Sequence, residues 1–402
     1  MPTDNLLAQF RADQVDQSEL ELLLSTHFGH SAGISPQEIH YSRSGAQVAL
    51  VLTYSRDGEL TGIQAGPDMQ AEDVAAIADK VNTSLLAPGD AQIGQLVLFA
   101  HLQTTGRFQY RDVFQLLPMP PDAPQAPFGI GQHPLLLQYN VIGSTDWQIS
   151  MLRRTRIGRE IELLCVALTN MIRGGIGTTA RYHWSLITSS DPGDWRSEFC
   201  QEAYTWPGAN GIAPAYTPAG EIADIARIPA SKYYTQRGIS LGQTLGLPDS
   251  FEQLLDTYFA CSRDDRDRFL RASFWFQYAQ RVGMISHSGA FTALVSAVEA
   301  LLPPPAGVTT CPQCTRPLGI GPTKRFVDFV EDHAPGLVAA QRRKLYALRS
   351  ALSHGDALLH SDRYGWSGGM TGTSVSEWAD QFAMWQVVRL VLVNWLLRRR
   401  DR

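Results

Sequence analysis

The sequence changes character near residue 250, and this change limits the possible folds more than any other feature. Before it, segments typical of strands, such as 46–54, alternate with segments typical of helices, such as 71–85. After it, five or six amphipathic helices follow one another with no strand pattern between them. The sequence therefore predicts an α+β domain over residues 1–245 and an all-α helical bundle over residues 250–402.

The charge of the chain is unevenly distributed. The 402 residues have room for two or three domains, and their composition is typical of a globular protein. A formal net charge of -5 excludes a uniformly cationic nucleic-acid-binding protein. Residues 321–402, however, contain twelve Arg or Lys and eight Asp or Glu, a balance of +4. We therefore expect a local basic surface in the last eighty or so residues.

The two ends of the chain and its cysteine content indicate the cellular compartment. The N-terminal sequence MPTDNLLAQFRADQ lacks the basic and apolar regions of a secretory signal. The apolar run from Val387 is too short and too polar to cross a bilayer. Five cysteines are too few, and odd in number, for a disulfide framework. We expect a cytoplasmic protein that makes no contact with membranes.

One segment near the end of the bundle, AAQRRKLYALRSALSHGD, contains the candidate site. Four residues separate Arg349 from His354, and Gly355 follows as expected at a helix C-terminus, because glycine tolerates positive φ. Five helical steps leave the Arg349 and His354 side chains about 140° apart around the helix axis. For both to act on one phosphate, either the helix unwinds at His354 or two copies of the helix meet across a dimer.

The spacing of this arginine and histidine is not specific by itself. With thirty arginines and ten histidines, an arginine followed by four to six residues and a histidine should occur about twice by chance. Arg281 and His287, with five residues between them, provide a second instance. The context of the first instance is more informative: LRSALSHGD is preceded, in order, by the segments ALVSAVEALL, CPQC and GPTKRFVDFV. This ordered set resembles the HEPN superfamily, and most closely its Apea-like branch, over roughly residues 250–402.

The resemblance implies a fold, an activity and a set of partners. HEPN domains are helical bundles that typically form homodimers, and active members are metal-independent ribonucleases of phage-defence, toxin–antitoxin and RNA-processing systems. Their motif of Arg, four to six residues and His maps onto Arg349 and His354, and Ser350 takes the polar position that often follows the Arg. The implied function is an endoribonuclease of bacterial phage defence or of a toxin or stress response, acting on RNA such as tRNA. The alternative is a non-catalytic HEPN-like module for RNA binding, protein binding or dimerisation.

These side chains suit the implied chemistry. Cutting RNA requires a base and an acid that work near neutral pH, and His354 is the candidate for both. Arg349 offers a permanent cation for the charge that builds on the phosphorus oxygens, and no metal or other cofactor is required. Asp356 is a candidate to orient the imidazole. Glu299 either pairs with an arginine of the bundle or acts beside the site. A basic cluster one or two turns upstream is expected to follow the RNA backbone: Arg342, Arg343 and Lys344.

Other interpretations remain open from sequence. Arg349 can be an ordinary surface arginine, and His354 a histidine that is favourable at a helix C-terminus in its own right. Catalysis by the first domain is a third reading, but we expect that domain to be sensing or regulatory, with a ligand that the sequence does not reveal.

Cys311 and Cys314 have the spacing of half a structural zinc site. His333, His354 or the same pair from a second subunit would have to complete it. Otherwise the pair is a remnant loop or two free thiols.

Overall fold

The chain is a mixture of helices and strands with a helical C-terminal region. In the computed structural model helices account for 52% and strands for 20% of the described residues, which confirms the mixed content expected from sequence. The structure describes the residues in the following ranges: 5–42, 48–67, 69–87, 89–121, 123, 133–172, 183–188, 195–200, 211–235, 244–283, 285–303, 321–364 and 372–400.

Strands predominate among the described elements up to residue 248. In chain order they are α1 (Gln17–Phe28), β1 (His30–Ser35), β2 (Glu38–Ser42), β3 (Val48–Tyr54), β4 (Leu60–Ala65), α2 (Ala71–Val81), a π-helical turn (Asn82–Leu86), β5 (Ala91–Ala100), β6 (Phe108–Tyr110), β7 (Phe114–Pro118), β8 (His133–Ile142), α3 (Trp147–Thr169), β9 (His183–Thr188), β10 (Trp195–Cys200), β11 (Gly211–Ala213), β12 (Arg227–Ile228), α4 (Ala230–Thr235) and β13 (Leu247–Pro248).

Beyond β13 the described elements are all helices. They are α5 (Phe251–Ala260), α6 (Arg263–Val282), α7 (His287–Glu299), α8 (Pro322–His333), α9 (Ala339–His354), α10 (His360–Tyr364) and α11 (Gly372–Leu397). None of the helices in the described ranges is long and apolar enough to cross a membrane.

The residues fall into two compact units. The first comprises Met1–Gly94, Tyr139–Gly158 and Ile212–Tyr216, and the second comprises Gln95–Gln138, Arg159–Gly211 and Thr217–Arg402. The division expected from sequence, at residues 245–250, stays a prediction.

The first unit is built on an antiparallel meander of β1, β2, β3 and β4. Successive side chains of a strand point to opposite faces, so alternate residues of β3 enter the core. Leu50 and Leu52 are fully buried, and Leu52 pairs with the equally buried Ile63 of β4. The same core includes Leu20 and Leu24 of α1. One face of α1 therefore packs on this core, while its first turn carries the buried carboxylate of Glu19.

In the second unit, contacts continue across the predicted domain boundary. Strands β5, β8, β7 and β6 are neighbours, in that order, in a second sheet. The ring of Phe108 in β6 lies 5.0 Å, centroid to centroid, from Phe251 of α5, and Tyr110 stacks on Phe259 at 5.8 Å. The first bundle helix therefore packs against the sheet.

The bundle helices share an aromatic and aliphatic core. Helix α6 begins where the sequence predicts, since the Ser262 side chain caps it by accepting from the backbone N–H of Asp265 at 3.2 Å. Helix α7 packs against α6, α9 and α11. Phe291 and Leu294, two residues of its predicted apolar stripe, are fully buried. The ring of Trp395 in α11 stacks 6.0 Å from Phe269 of α6. These contacts fix which faces of α6, α7 and α9 remain exposed.

Candidate functional site

Helix α9 continues unbroken to His354 and ends where the sequence predicts. Gly355 adopts the left-handed conformation, with φ of 78°, and its N–H returns to the last turn of the helix. The backbone N–H of Asp356 donates to the carbonyl of Ala351 at 2.9 Å. The structure therefore does not adopt the unwinding at His354 that would bring Arg349 and His354 together within one chain.

Arg349 is held by a carboxylate at the end of another helix. Its Nη2 donates to Oε2 of Glu299, the last residue of α7, at 2.8 Å. The Arg349 and Glu299 side chains are 27% and 25% exposed, so solvent reaches both partners. Of the two predicted roles for Glu299, pairing with an arginine of the bundle is observed, and the partner is the candidate catalytic arginine.

Tyr346 completes this cluster, although sequence reasoning did not single it out. One turn before Arg349, its hydroxyl donates to Oε1 of Glu299 at 3.1 Å, and the Arg349 Cζ lies 5.9 Å from its ring centroid. Burial, and then the nearby Glu299 carboxylate, raise the pKa of Tyr346, so its hydroxyl stays protonated and remains a donor. The i, i+3 spacing of Tyr346 and Arg349 was the available sequence signal. Glu299 is therefore bound through both oxygens.

His354 and Asp356 are both exposed, and Ser350 is half-buried beside Arg349. Within the described residues, no hydrogen bond joins Asp356 to the His354 ring. The orienting role of Asp356 and the supporting role of Ser350 therefore stay predictions. A single chain thus presents a fixed, partly exposed arginine and an exposed histidine on different sides of one helix end.

The predicted basic cluster divides into inward and outward residues. The Arg342 side chain is 5% exposed, forms an ion pair with Glu331 of α8, and donates to the carbonyl of Leu337. It is not available to an RNA backbone in this conformation, which differs from the expected role. The physical reason is helical position, because Arg342 shares the inner face of α9 with the buried Leu345.

Arg343 and Lys344, by contrast, lie on the outer side of α9. Both side chains are exposed. Lys344 Nζ lies 2.6 Å from Oδ2 of Asp380 in α11, and the lysine side chain is 57% exposed. The Asp380 side chain is only 10% exposed, so Lys344 pairs with a largely buried carboxylate. Contact of Arg343 and Lys344 with RNA stays a prediction.

Cys311 and Cys314 lie outside the described residues. His333, a possible further ligand, is buried, and its Nδ1 lies 3.0 Å from the carbonyl oxygen of Phe329. Burial lowers the pKa of His333, with the neighbouring Arg398 contributing in the same direction. Within the described ranges, no group of three or more His, Cys, Asp or Glu side chains is placed to hold a metal. The zinc site stays a prediction.

The second arginine–histidine pair belongs to a helix junction. His287 is the first residue of α7, and its Nδ1 lies 2.8 Å from Oε1 of Gln381. Arg281, at the end of α6, lies 3.9 Å from the carboxylate of Glu162. His287 is thus engaged by neighbouring side chains, which favours the first pair as the candidate site.

Asp362 of α10 closes the N-terminus of α7. Its carboxylate accepts from the Ser286 hydroxyl at 2.9 Å and from the backbone N–H groups of His287 and Ser288 at 2.8 and 2.7 Å. Burial alone would raise the pKa of Asp362, but these hydrogen bonds together lower it below its ordinary value. A carboxylate at a helix N-terminus also interacts favourably with the helix dipole.

We expect Asp362→Asn to lower the free energy of unfolding at pH 7 by about 1–3 kcal/mol. A carboxylate with a depressed pKa stabilises the fold above its unfolded pKa, near 3.8, and loses this contribution as the pH falls through the folded value. The stability difference between Asp362→Asn and the wild-type chain should therefore shrink in acid. Urea unfolding of both chains from pH 7 to pH 3 measures it, and a pH-independent difference would contradict the assignment.

No protein-family model matches the chain, and no significant match is found among curated proteins or solved structures.

Proposed function

We propose that the C-terminal helices form a HEPN-like bundle that cuts RNA without a metal ion and acts as a homodimer. The observation that carries the proposal is the end of α9, where an exposed His354 follows an Arg349 whose guanidinium is both fixed and partly exposed. A fixed cation and an exposed imidazole are the two groups that phosphodiester cleavage requires near neutral pH.

The chemistry follows from these groups. The 2′-hydroxyl of the RNA attacks the adjacent phosphorus, so that a 2′-O–P bond forms and the P–O5′ bond breaks. An imidazole in its neutral form accepts the 2′-hydroxyl proton, and an imidazolium donates a proton to the departing 5′-oxygen. The products are a 2′,3′-cyclic phosphate and a 5′-hydroxyl. The Arg349 guanidinium stabilises the negative charge that builds on the phosphorus oxygens.

A second copy of the chain supplies what one copy lacks. Because α9 stays helical to its end, Arg349 and His354 point about 140° apart and do not converge on one phosphate. In a two-fold dimer that pairs the ends of α9, Arg349 of one copy lies near His354 of the other.

The proposed setting is bacterial phage defence or a toxin or stress response in the cytoplasm, with RNA such as tRNA as substrate. This part of the proposal rests on the resemblance of residues 250–402 to the Apea-like HEPN branch. The absence of a described helix long enough to span a membrane is compatible with it.

The second candidate function is a non-catalytic RNA- or protein-binding dimerisation module. The ion pair between Arg349 and Glu299 favours it, since an arginine neutralised within the chain has a sufficient structural role. The two candidates differ in whether RNA is cut.

The deciding experiment is incubation of the purified full chain with total RNA or tRNA in the presence of EDTA. We expect cleavage to continue at full rate and to leave 2′,3′-cyclic phosphate ends, which an end-specific ligation or phosphatase assay identifies. Uncut RNA, with the protein bound to it, would establish the module instead. Cleavage that EDTA abolishes would contradict the metal-independent mechanism.

A further inference from the structure

Helix α6 presents three aromatic side chains to solvent. Phe274, Trp275 and Tyr278 are 43%, 36% and 43% exposed. Their rings contact one another: the centroids of Phe274 and Tyr278 lie 6.2 Å apart with planes 13° apart, and Trp275 lies 5.6 Å from Phe274 and 5.7 Å from Tyr278. We call these three residues the α6 aromatic cluster. Contiguous exposed apolar surface of this kind marks an interaction site more often than isolated exposed residues do.

The outward direction of the cluster is fixed by the opposite face of α6. Phe269 and Phe276 on that face are completely buried. The buried Gln277 donates from Nε2 to Oε1 of Glu162 in α3 at 2.6 Å. Rotating α6 to hide the aromatic cluster would expose two phenylalanines and break this buried hydrogen bond. The cluster is therefore a stable feature of the surface.

The charged residues of α6 nearest the cluster are arginines. From Arg268 to Gly283 the sequence contains three arginines and neither Asp nor Glu. Arg271, one turn before the cluster, is exposed and makes no ion pair within the described part of the chain. Arg281, one turn after the cluster, is 44% exposed and lies 3.9 Å from the Glu162 carboxylate. The same carboxylate forms a closer ion pair with Arg159, at 2.9 Å. Cations thus lie at both ends of the aromatic surface.

We propose that the α6 aromatic cluster binds single-stranded RNA, with bases stacked on its rings and the flanking phosphates on Arg271 and Arg281. The choice of RNA rests on the proposed function. Aromatic rings bordered by cations are the usual means of binding single strands, because each base offers a flat face and each phosphate a negative charge. If two copies instead met through this surface about a two-fold axis, the arginines of one copy would face those of the other and repel them. RNA therefore fits the surface better than a second copy.

Binding is measured with the full-length His354→Ala chain, so that cleavage does not consume the probe. The probe is a labelled uridine oligomer of about 12 nucleotides, within the length range that single-strand sites cover, and the readout is fluorescence anisotropy. We expect Trp275→Ala and Tyr278→Ala each to weaken binding by about 5- to 100-fold. Arg271→Gln should weaken binding and reduce the slope of log affinity against log salt by about one.

Trp378→Ala is the matched control. Trp378 is a 63% exposed tryptophan on α11 that stacks on Phe382 at 5.6 Å, so it resembles Trp275 in exposure and ring contact. In the His354→Ala chain, the added Trp378→Ala substitution should leave the affinity for the oligomer unchanged. Circular dichroism verifies that all variants are folded.

Each other outcome overturns the inference. It fails if the α6 variants bind the oligomer as tightly as the background chain, or if the background chain does not bind it. It also fails if the α6 variants change the oligomeric state of the RNA-free protein in sedimentation, since a second copy would then cover the surface. Cleavage by the wild-type chain is scored separately. If the α6 variants lose binding but the wild-type chain does not cut RNA, the proposed function is wrong and the α6 binding surface stands. If the wild-type chain cuts RNA but the α6 variants bind normally, the binding surface is wrong and the proposed function stands.

Discussion

Replacing His354 by alanine is expected to slow RNA cleavage by about 100- to 10,000-fold, the usual contribution of a general acid or base. The loss should be nearly complete because the proposed mechanism uses this imidazole both to remove the 2′-hydroxyl proton and to protonate the leaving oxygen. Arg349→Ala should cause a comparable loss, whereas Arg349→Lys keeps the charge but not the paired donors and should recover only part of the rate. Initial rates on one tRNA substrate in EDTA measure all three.

A histidine at a similar helix end offers a matched control. His27 lies in the last turn of α1, and Gly29 ends that helix in the left-handed conformation, as Gly355 ends α9. His27→Ala should cleave RNA at the wild-type rate. Undiminished cleavage by folded His354→Ala would remove His354 from the mechanism and, with it, the assignment of the site.

Mixing two inactive chains tests whether the site is shared between copies. If Arg349 and His354 act from different copies, an equal mixture of Arg349→Ala and His354→Ala chains, allowed to exchange subunits, should recover about a quarter of the wild-type rate. Half of the dimers are then mixed, and each has one intact site of two. If both residues instead act from the same copy, neither chain has an intact site and the mixture should stay inactive.

In the first unit we expect Glu19→Ala to lower the free energy of unfolding by about 3–5 kcal/mol, the usual cost of leaving a buried charge without its partner. Glu19 is 3% exposed. Its Oε2 accepts from Arg153 Nε and Nη2 at 3.0 and 2.7 Å, and its Oε1 accepts from Arg156 Nη2 at 2.7 Å. Arg153, only 12% exposed, would keep its charge with no counterion. Urea unfolding with a probe that reports on the first unit measures the loss.

Two further chains separate the charge effect from a general effect of substitution. Glu38→Ala removes an exposed carboxylate that lies 3.5 Å from His40, and it should change stability by less than about 1 kcal/mol. The double variant Glu19→Leu with Arg153→Met replaces both charges by apolar groups and should recover much of the lost stability. A Glu19→Ala chain as stable as the Glu38→Ala chain would show that the buried network contributes little.

Local signals account for the parts of the structure that the sequence predicted well. The strand pattern of 46–54 became β3, and the helical pattern of 71–85 became α2 with the π-helical turn that follows it. The end of α9 was predictable because Gly355 adopts a positive φ at low cost. In each case the deciding interaction lies within a few residues along the chain.

The interactions that shape the site are not local, and here sequence reasoning was less successful. Asp362 caps α7 from 74 to 76 positions away, and Glu299 binds Arg349 across 50 positions. No periodicity in one segment encodes such contacts. Arg342 shows the same limit, since its burial depends on where Glu331 of α8 packs.

If Arg349 binds phosphate as we propose, its bond to Glu299 also affects which anions can bind there. In the free protein the guanidinium already has a carboxylate partner, so a small anion such as chloride or acetate gains little by displacing it. A chain of linked phosphates differs, because contacts made by its neighbouring nucleotides add to the one made at Arg349. Under the proposed function, we therefore expect Glu299 to compete well with single anions and less well with a polyanion.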